Sequence, residues 1–489
     1  MEALTVMFRK GAEEGVVSNL TGISPTQRLS IYADDVALFI KPTEMDLIFV
    51  KQALESFGHA SGLEVNYRKS KAILIRGSED DQRRVAAHLQ CDVGQFPCKY
   101  LGIPLAIHQL SRADWQPLVD QVRSFLPSWQ RGLIQRPGRL VLIKSMVAAR
   151  PIHQLMVLNA PDWVFDEINA WMRSFFWAGK DKVNGGQCLV AWNIICRPTR
   201  FGGLGVKNLK LQAMALRVRW EWLRRTDLDR PWQGIPFLVD EEARQLYNQL
   251  VQITVGAGNK VLFWKDRWMN GLAVADIAPA ILPLVPTRVQ NKRTVGQAMV
   301  DSRWEMDING EPPFMALIQL MHLRVATMDA YHDRQAPDTF TWPWDASGQY
   351  TARSVYRALH LGLATSPTYE CIWRSGAILK CKIFAWLAVQ YRLWTSDRRA
   401  RHGLQDSTAA CYTCLQEEDT VDHILLHCPY AREVWHLCFT QISVTVRQPQ
   451  PGDSLEAWWL QVRSAIVTRD RRGFDTIVIF VAWSLWKQR

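Results

Sequence analysis

The stretch Leu29-Ser30-Ile31-Tyr32-Ala33-Asp34-Asp35-Val36-Ala37-Leu38-Phe39-Ile40 places two adjacent carboxylates between two apolar runs. The β-branched and aromatic residues of 30–32 and 36–40 predict two strands. Ala33, Asp34 and Asp35 are then predicted to form the turn of a β-hairpin. Two like charges in a tight turn repel each other unless a cation neutralises them. Mg²⁺ prefers carboxylate oxygens and leaves positions open for phosphate. The alternative interpretation is a solvated Asp-Asp turn that holds no metal.

The Tyr32-Ala33-Asp34-Asp35 segment resembles the Tyr-X-Asp-Asp box of reverse transcriptases. Two later segments follow in the order of that family: Gly62-Leu63-Glu64-Val65-Asn66 with Lys69-Ser70-Lys71, and Tyr100-Leu101-Gly102-Ile103-Pro104-Leu105. The amino-acid sequences of these three segments resemble those of non-LTR (LINE-type) retrotransposon enzymes, especially those of plants. This resemblance implies RNA-templated DNA synthesis at a catalytic Mg²⁺ site, with Asp34 as the direct ligand and Asp35 as the supporting one.

The resemblance also implies contacts with an RNA template, a DNA primer and deoxynucleotides. The residues expected to make the nucleic-acid contacts are Tyr32, Lys69, Lys71, Gly102, Arg139 and Lys144. For the two lysines at 69 and 71, a solvated strand edge is the alternative, and for Gly102 it is a simple turn before Pro104. The sequence does not predict an oligomeric state.

Positive charge is concentrated in one part of the chain. Of the 489 residues, 48% are hydrophobic, and the net charge is +11. The segment from Arg112 to Arg225 contains 18 Lys/Arg and 7 Asp/Glu, so it carries that entire excess. Such a segment is typical of a surface that faces a phosphate backbone, although a merely solvated basic face has the same composition. Besides Arg139 and Lys144, four further arginines are candidates for phosphate contacts: Arg217, Arg219, Arg224 and Arg225.

The region 108–250 resembles the thumb of the same elements and is predicted to be mainly helical. Its apolar stripe over 166–177 is rich in Trp and Phe, which favours a core over a base-stacking platform. Farther along, Asp266 is flanked by Lys265 and Arg267. These neighbours predict a local ion pair for Asp266, not a catalytic carboxylate.

A second metal motif lies near the end of the chain, in the pattern Cys411-x2-Cys414-x8-His423-x4-Cys428. Two Cys at knuckle spacing, followed by His and Cys on another element, suit tetrahedral Zn²⁺. In an α-helix His427 would lie one turn from His423 on the same face, so His427 is a rival for His423 or Cys428. The alternative without a metal is a set of reduced core cysteines with a capping histidine. With Trp435 downstream, the pattern resembles the zinc-binding domain of these reverse transcriptases, which implies a closed structural site.

The predicted fold class is α+β, comprising a partial right-hand palm, a mainly helical thumb and connection, and a small zinc-binding domain. The predicted regions are a partial palm (1–107), a basic thumb-like region (108–250), a linking region (251–345), the zinc-binding domain (346–440) and a tail (441–489). In the family, the fingers and the first catalytic Asp motif precede the position where this chain starts, and further sequence follows its end. We therefore expect the chain alone to be inactive, with a non-enzymatic, zinc-stabilised RNA/DNA-binding remnant as the rival hypothesis.

The sequence also bears on where the protein resides. The first 15 residues lack the apolar segment of a signal peptide, and no run reaches the roughly 18 apolar residues that a membrane span needs. Ten cysteines without a secretory signal indicate reduced thiols. We therefore expect a nuclear or cytoplasmic protein that does not interact with membranes.

Overall fold

The structure is a computed structural model that describes residues 2–21, 27–126, 128–230, 232, 240–330, 335–404, 409–441 and 447–489, with the side chains of 128–130 excepted. Helices dominate, and the strands of the described residues form four separate two-stranded sheets. The chain divides into two compact units. Unit 1 comprises Met1–Pro117, His153–Asn159 and Met214–Val355, and unit 2 comprises Leu118–Ile152, Ala160–Ala213 and Tyr356–Arg489. The mixed helix and strand content agrees with the predicted α+β class, whereas the assignment of palm, thumb and the five sequence regions stays a prediction.

The Asp-Asp stretch forms the predicted β-hairpin. Strand β1 (Leu29–Tyr32) pairs antiparallel with β2 (Asp35–Leu38), and Tyr32 lies opposite Asp35. The turn therefore consists of Ala33 and Asp34 only, with Ala33 in the left-handed region at φ 53°. Placing Asp35 in the turn was wrong, because a two-residue connection already closes the hairpin.

Two helices supply the apolar core behind this hairpin. Helix α1 (Glu2–Glu13) and helix α2 (Glu44–Ser61) contribute the buried cluster Leu4, Phe8, Val50, Ala53 and Phe57. Both ends of α2 are set by local residues: the Thr43 side chain accepts a hydrogen bond from the Asp46 amide, and Gly62 ends the helix at φ 74°. Leu29 and Leu38 of the hairpin pack against the same cluster, so α2 supports the hairpin.

The rest of the first region contains two more strand pairs. Strand β3 (Lys71–Ile73) pairs parallel with β4 (Asp92–Gly94), and helix α3 (Glu79–Leu89) connects them. Strands β5 (Cys98–Tyr100) and β6 (Ile103–Leu105) form an antiparallel hairpin.

The basic segment is helical, as predicted. Its helices are α4 (Arg112–Arg123), α5 (Ser128–Leu133), α6 (Arg136–Leu142), α7 (Ile152–Leu155), α8 (Asp162–Ala178), α9 (Trp192–Ile195) and α10 (Leu209–Thr226), with a π-helical turn at Ile143–Val147 directly after α6 and 3₁₀ turns at Gly185–Gln187 and Thr199–Phe201. The aromatic stripe of α8 is buried, including Trp171, Phe175 and Phe176. It is core, as expected, so it is not available for stacking with bases.

Residues 241–345 form short helices and one strand pair. The elements are α11 (Glu241–Leu250), β7 (Gln252–Thr254), α12 (Val274–Ile277), α13 (Thr287–Gln290), α14 (Val295–Met299), α15 (Phe314–Ala330) and β8 (Thr339–Thr341), with 3₁₀ segments at Leu282–Leu284 and Val300–Asp307. Strands β7 and β8 pair antiparallel. Asp266 is buried against Arg225, with two hydrogen bonds of 2.5 and 2.9 Å. The predicted ion pair therefore exists, but its partner lies 41 residues away and is not a sequence neighbour.

The last part of the chain is helical. It comprises α16 (Ala352–Ala358), α17 (Pro367–Arg374), α18 (Leu379–Val389), α19 (Ser396–Arg401), α20 (Pro429–Gln441), α21 (Leu455–Ala465) and α22 (Arg471–Gln488), with a π-helical turn at His423–His427. Before α16 the chain turns, because Gly348 has φ 68° and the Asp345 carboxylate accepts hydrogen bonds from the Ser347 and Thr351 hydroxyls. Within the described residues, no helix is both long enough and apolar enough to cross a membrane.

Candidate zinc centre and nucleic-acid surface

Four side chains of the second metal motif converge in unit 2. The ligand atoms of Cys411, Cys414, His423 and Cys428 all lie within 4.8 Å of one another. The Sγ atoms of Cys411 and Cys428 are 4.0 Å apart, and Cys414 Sγ is 3.2 Å from His423 Nε2. Tetrahedral Zn²⁺ with bonds of about 2.3 Å to sulfur and 2.0 Å to nitrogen places its ligand atoms about 3.5–3.8 Å apart. The observed separations bracket these values, so the residues fit a zinc ion.

A π-helical turn decides which residue pairs with His423. The Cys428 amide donates a 2.7 Å hydrogen bond to the His423 carbonyl, five residues earlier. This wider turn brings Cys428, not His427, into the cluster. His427 lies outside the cluster, and its buried Nε2 has no hydrogen-bond partner in the described part of the chain. An α-helical spacing made His427 an alternative zinc ligand, but the structure brings His423 and Cys428 into the cluster instead.

Neighbouring polar groups orient the ligands. Glu417 Oε2 lies 2.8 Å from His423 Nδ1, so Nδ1 carries the proton and the lone pair of Nε2 faces the cluster. The Thr413 hydroxyl lies 3.0 Å from Cys411 Sγ and 3.1 Å from Cys428 Sγ. The Glu417 contact favours the metal-binding tautomer of His423, and the Thr413 hydroxyl can donate its one hydrogen to either of the two sulfur atoms.

The thiols differ in their acidity. Burial alone would raise the pKa of the Cys414 thiol, but hydrogen bonds from the Gln416 and Glu417 amides and with the Cys411 and Cys428 side chains together lower that pKa. Burial raises the pKa of Cys428, and the bond from Thr413 opposes that increase. Zinc binds the thiolate, so the backbone of the 411–417 knuckle already favours the ligand form at Cys414.

Residues distant in sequence fix the loop between the ligands. Asp419 is fully buried, and its carboxylate accepts 2.8 Å hydrogen bonds from both the amide and the hydroxyl of Ser396. Arg489 Nε donates to the same carboxylate at 3.0 Å. The Trp435 indole N–H donates to the Leu425 carbonyl at 2.8 Å. These hydrogen bonds hold the ligand loop in place. Four protein ligands fill a tetrahedral metal ion, so the centre suits a structural metal and offers no open position for substrate.

The acidic hairpin of unit 1 has a different environment. Tyr32, Asp34 and Asp35 are all exposed, and Tyr32 is 66% accessible. Among the described residues, only the Cys/His cluster of unit 2 brings three or more potential metal ligands together. Asp34 and Asp35 therefore face solvent without a third acidic, His or Cys ligand from the described chain.

The other residues expected to contact nucleic acid in unit 1 lie nearby in sequence but differ in role. Lys69 and Lys71 are exposed, in a turn and at the start of β3 respectively. Gly102 has φ 81° and forms the β5–β6 turn with Leu101. The Leu101 and Gly102 carbonyls bind His153 Nε2 at 2.8 Å and Gln154 Nε2 at 3.2 Å. The glycine is thus explained by its turn, and its contact with a primer remains a prediction.

The basic residues of the thumb-like segment fall into two classes. Arg217 and Arg225 are buried in ion pairs with Asp240 and Asp266, so they are not available to phosphate. Arg219 and Arg224 are exposed. For these two buried arginines the sequence-based candidacy was wrong, because lysine and arginine counts do not reveal which cations are already paired.

Arg139 and Lys144 lie on consecutive turns of unit 2. Arg139 is half-buried, and its Nε donates to the Ile134 carbonyl at 2.7 Å. Lys144 Nζ donates to the Leu204 carbonyl at 3.1 Å. Loss of hydration lowers the pKa of both side chains, and no carboxylate opposes it. Both remain cations that the described chain does not neutralise.

Sequence reasoning missed several residues of these sites. Glu417 was detectable in principle, since a carboxylate between a CxxC pair and a histidine is a recognisable partner for the imidazole. Ser396 and Arg489 carried no such signal, because they meet Asp419 only in the folded chain.

Comparisons with known proteins agree with this geometry. Residues 350–435, which include all four ligands, match the family described as zinc-binding in reverse transcriptase. An Arabidopsis thaliana protein named "Putative ribonuclease H protein" is 23% identical over 425 residues, covering 79% of this chain and 65% of that protein. The transposon TX1 uncharacterized 149 kDa protein of Xenopus laevis is 26% identical over 208 residues, covering 41% of this chain and 15% of that protein. The chain thus spans less than two thirds of the length of either relative.

These matches and the four-residue cluster support a structural zinc site at Cys411, Cys414, His423 and Cys428. The transposon relative extends the similarity beyond the zinc-binding segment. Residues 350–435 are thus similar to a zinc-binding domain of reverse transcriptases, and a longer part of the chain is similar to a transposon protein.

Proposed function

We propose that this chain is the part of a non-LTR (LINE-type) retrotransposon RNA-directed DNA polymerase that holds nucleic acid, stabilised by zinc, and that it does not synthesise DNA by itself. The observation that carries this proposal is the four-ligand cluster within the segment that matches the reverse-transcriptase zinc-binding family. The four side chains are buried or half-buried, and together they would fill all four positions of a tetrahedral zinc ion, which favours a structural role for the metal.

In the complete enzyme, Asp34 and Asp35 are the residues that would hold catalytic Mg²⁺. Bound there, Mg²⁺ would activate the primer 3′-hydroxyl and neutralise the departing pyrophosphate. Asp34 lies on the turn and Asp35 opens β2, so the hairpin presents both carboxylates to solvent beside Tyr32. Two-metal transfer needs ligands around both ions, and the described residues add no third one. A further segment would have to complete the site.

Hydrogen bonds join the β1–β2 hairpin, which carries Asp34 and Asp35, to the β5–β6 hairpin. The Tyr100 hydroxyl lies 3.3 Å from Ser30 Oγ and 3.4 Å from the Ser30 carbonyl. We infer that this contact keeps β1–β2 and the Leu101–Gly102 turn in one arrangement, so that a primer strand at the turn would lie close to the carboxylates. The contact is exposed and worth about 1 kcal/mol at most.

Binding would depend mainly on charge. The basic segment 112–225 supplies cations, and phosphate contacts of this kind fix the position of a duplex without reading its sequence. The rival candidate, a non-enzymatic RNA/DNA-binding remnant, is favoured by the exposed and incomplete carboxylate pair. The two candidates differ in whether a separate segment restores synthesis.

Primer extension and duplex binding test the proposal together. The purified chain is incubated with an RNA template, a DNA primer, deoxynucleotides and Mg²⁺, beside an Asp34→Asn variant. We expect no extension from either protein, and duplex binding that weakens steeply between 50 and 200 mM salt, as phosphate contacts require. Extension by the wild-type chain that disappears in Asp34→Asn would refute the non-catalytic assignment, and a lack of duplex binding at low salt would refute the nucleic-acid role.

A further inference from the structure

Two hydrogen-bond donors in unit 2 lie buried without acceptors. Arg136 Nε and Trp177 Nε1 are both inaccessible, and neither has a partner in the described part of the chain. The Arg136 guanidinium lies over the Trp177 ring, 4.9 Å from its centroid. Buried donors are nearly always satisfied in folded proteins, so an unsatisfied pair at one place indicates a missing acceptor.

A second guanidinium lies at the same place. Arg139 Nε is fixed on the Ile134 carbonyl at 2.7 Å, which leaves its terminal nitrogens without an acceptor among the residues described. Its guanidinium rests against Gly179, where an added Cβ would lie 2.5 Å from Nη2. Gly179 ends α8 at φ 68°, so only a residue without a side chain allows this approach.

The nearby carboxylate is already engaged elsewhere. Asp181 pairs with Arg131 and also accepts a 3.3 Å hydrogen bond from the Trp171 indole. Arg131 also donates from Nε to the Leu126 carbonyl at 2.8 Å and from Nη2 to the Arg123 carbonyl at 2.9 Å. Arg131 is therefore paired within the chain, whereas Arg136 and Arg139 have no acidic partner among the described residues.

The electrostatics agree with this contrast. Burial lowers the pKa of Arg136, and the adjacent charge of Arg139 lowers it further. Burial also lowers the pKa of Arg139. An anion that bound both guanidinium groups would remove the repulsion and supply the missing acceptors.

We propose that Arg136, Arg139 and the Trp177 indole N–H form a binding site for one phosphate group of a nucleic-acid backbone. Guanidinium forks match phosphate oxygens and bind them in bidentate fashion, and the indole adds a neutral donor. Phosphate, not carboxylate, fits best because it offers more acceptor oxygens and more negative charge to two neighbouring guanidinium groups. This inference rests on the proposed nucleic-acid role and specifies one residue set that would carry it.

The test measures the salt dependence of binding to a fluorescent RNA–DNA duplex by the full chain. The variant Arg136→Gln/Arg139→Gln removes two charges from the site. The matched control Arg83→Gln/Arg84→Gln removes two charges from α3, where they already pair with Asp80 and Asp81. Trp177→Phe keeps an aromatic ring beneath Arg136 but removes the N–H donor. Circular dichroism and thermal unfolding verify that each variant folds.

For one phosphate contact, the slope of log K against log salt should become less steep by about 0.9 in the site variant. Affinity at fixed salt should fall about tenfold or more, while the control pair changes neither quantity. Trp177→Phe should weaken binding severalfold without changing the slope, because the donor it loses is uncharged. An unchanged slope in the site variant, with normal wild-type binding, overturns the inference and leaves the proposed function intact.

A second measurement separates the two proposals and the two sources of phosphate. Inorganic tripolyphosphate is added to each protein and the melting temperature is recorded. If the wild-type chain binds no duplex but tripolyphosphate stabilises it and not Arg136→Gln/Arg139→Gln, the site takes free polyphosphate and the nucleic-acid role fails. If neither duplex nor tripolyphosphate binds, both proposals are refuted.

Discussion

The two candidate metal sites hold their ligands in opposite ways. In unit 2, Cys411, His423 and Cys428 are buried. Neighbouring residues orient these ligands through hydrogen bonds, such as the one between Glu417 and His423. In unit 1, Asp34 and Asp35 are exposed on a two-residue turn. The first arrangement is assembled by folding, whereas the second depends only on a local hairpin.

This difference reflects the different requirements of a structural metal site and a catalytic one. A closed zinc centre contributes folding free energy, so its ligands must be brought together by the fold itself. A polymerase carboxylate pair must stay accessible to substrate, and therefore cannot be buried in the same way. The predictions below change one side of the comparison at a time, beginning with the largest expected effect.

Removing a zinc ligand should damage unit 2 most. Cys411→Ser is expected to reduce bound zinc from about one ion per chain to well below it, because structural centres need all four ligands. Metal binding in such centres contributes on the order of 10 kcal/mol, so hydrogen exchange over 409–441 should increase strongly. Zinc analysis and exchange measurements check this.

The control for that experiment is Cys438→Ser on α20, which removes a half-buried thiol that lies outside the cluster. Its zinc content should remain that of the wild type. Full zinc retention by Cys411→Ser would contradict the assignment of the centre.

Reorienting one ligand should have a smaller effect. Glu417→Gln is expected to weaken zinc binding about 10–100-fold, since carboxylates that hold a metal-bound histidine typically matter by that factor. Competition with a chromogenic chelator measures the affinity. Glu418→Gln removes a neighbouring exposed carboxylate and should have no effect. Equal affinities for the two variants would show that the Glu417 contact to His423 does not position the ring.

The unequal success of sequence reasoning at the two sites has a physical cause. The two strands of the hairpin were predictable because they depend on the residue types of neighbouring positions, although Asp35 belongs to β2 and not to the turn. The CxxC pair with its His and Cys was equally legible. The π-helical turn was not, because a shift from i+4 to i+5 spacing at His423 leaves no mark in residue types.

Contacts between distant residues were hidden for a different reason. Asp419 meets Arg489 across 70 residues, and Arg225 meets Asp266 across 41. Composition identified the basic segment, but could not separate a buried paired arginine from an unneutralised one such as Arg139. That separation depends on which carboxylate the fold places beside each cation.

An alkaline titration sharpens the comparison within unit 2. Tyr356 is 7% exposed, and its hydroxyl oxygen accepts a 3.0 Å hydrogen bond from the Asn208 amide. Burial raises the pKa of Tyr356 to about 12. The unfolded chain binds fewer protons than the folded one between pH 10 and 12, so Tyr356 contributes stability below pH 10 that is lost as the pH rises toward 12.

The variant Tyr356→Phe should cost about 1 kcal/mol near neutral pH, because it leaves the Asn208 amide without its acceptor. Its stability should then fall less steeply than that of the wild type above pH 10. Urea unfolding at pH 8, 10 and 11 measures both quantities. Parallel curves for the two proteins above pH 10 would mean that Tyr356 ionises alike in the folded and unfolded states.

The smallest effect is expected at the hairpin itself. Asp34→Asn should change the free energy of unfolding by no more than about 0.5 kcal/mol, since it alters an exposed residue on a turn. It should leave zinc content unchanged, because the zinc ligands all lie in the other unit. Urea unfolding and zinc analysis of the purified variant check both statements. A loss of stability above 1 kcal/mol would mean that Asp34 has a structural partner, and the hairpin would then resemble the zinc centre in depending on contacts beyond its own turn.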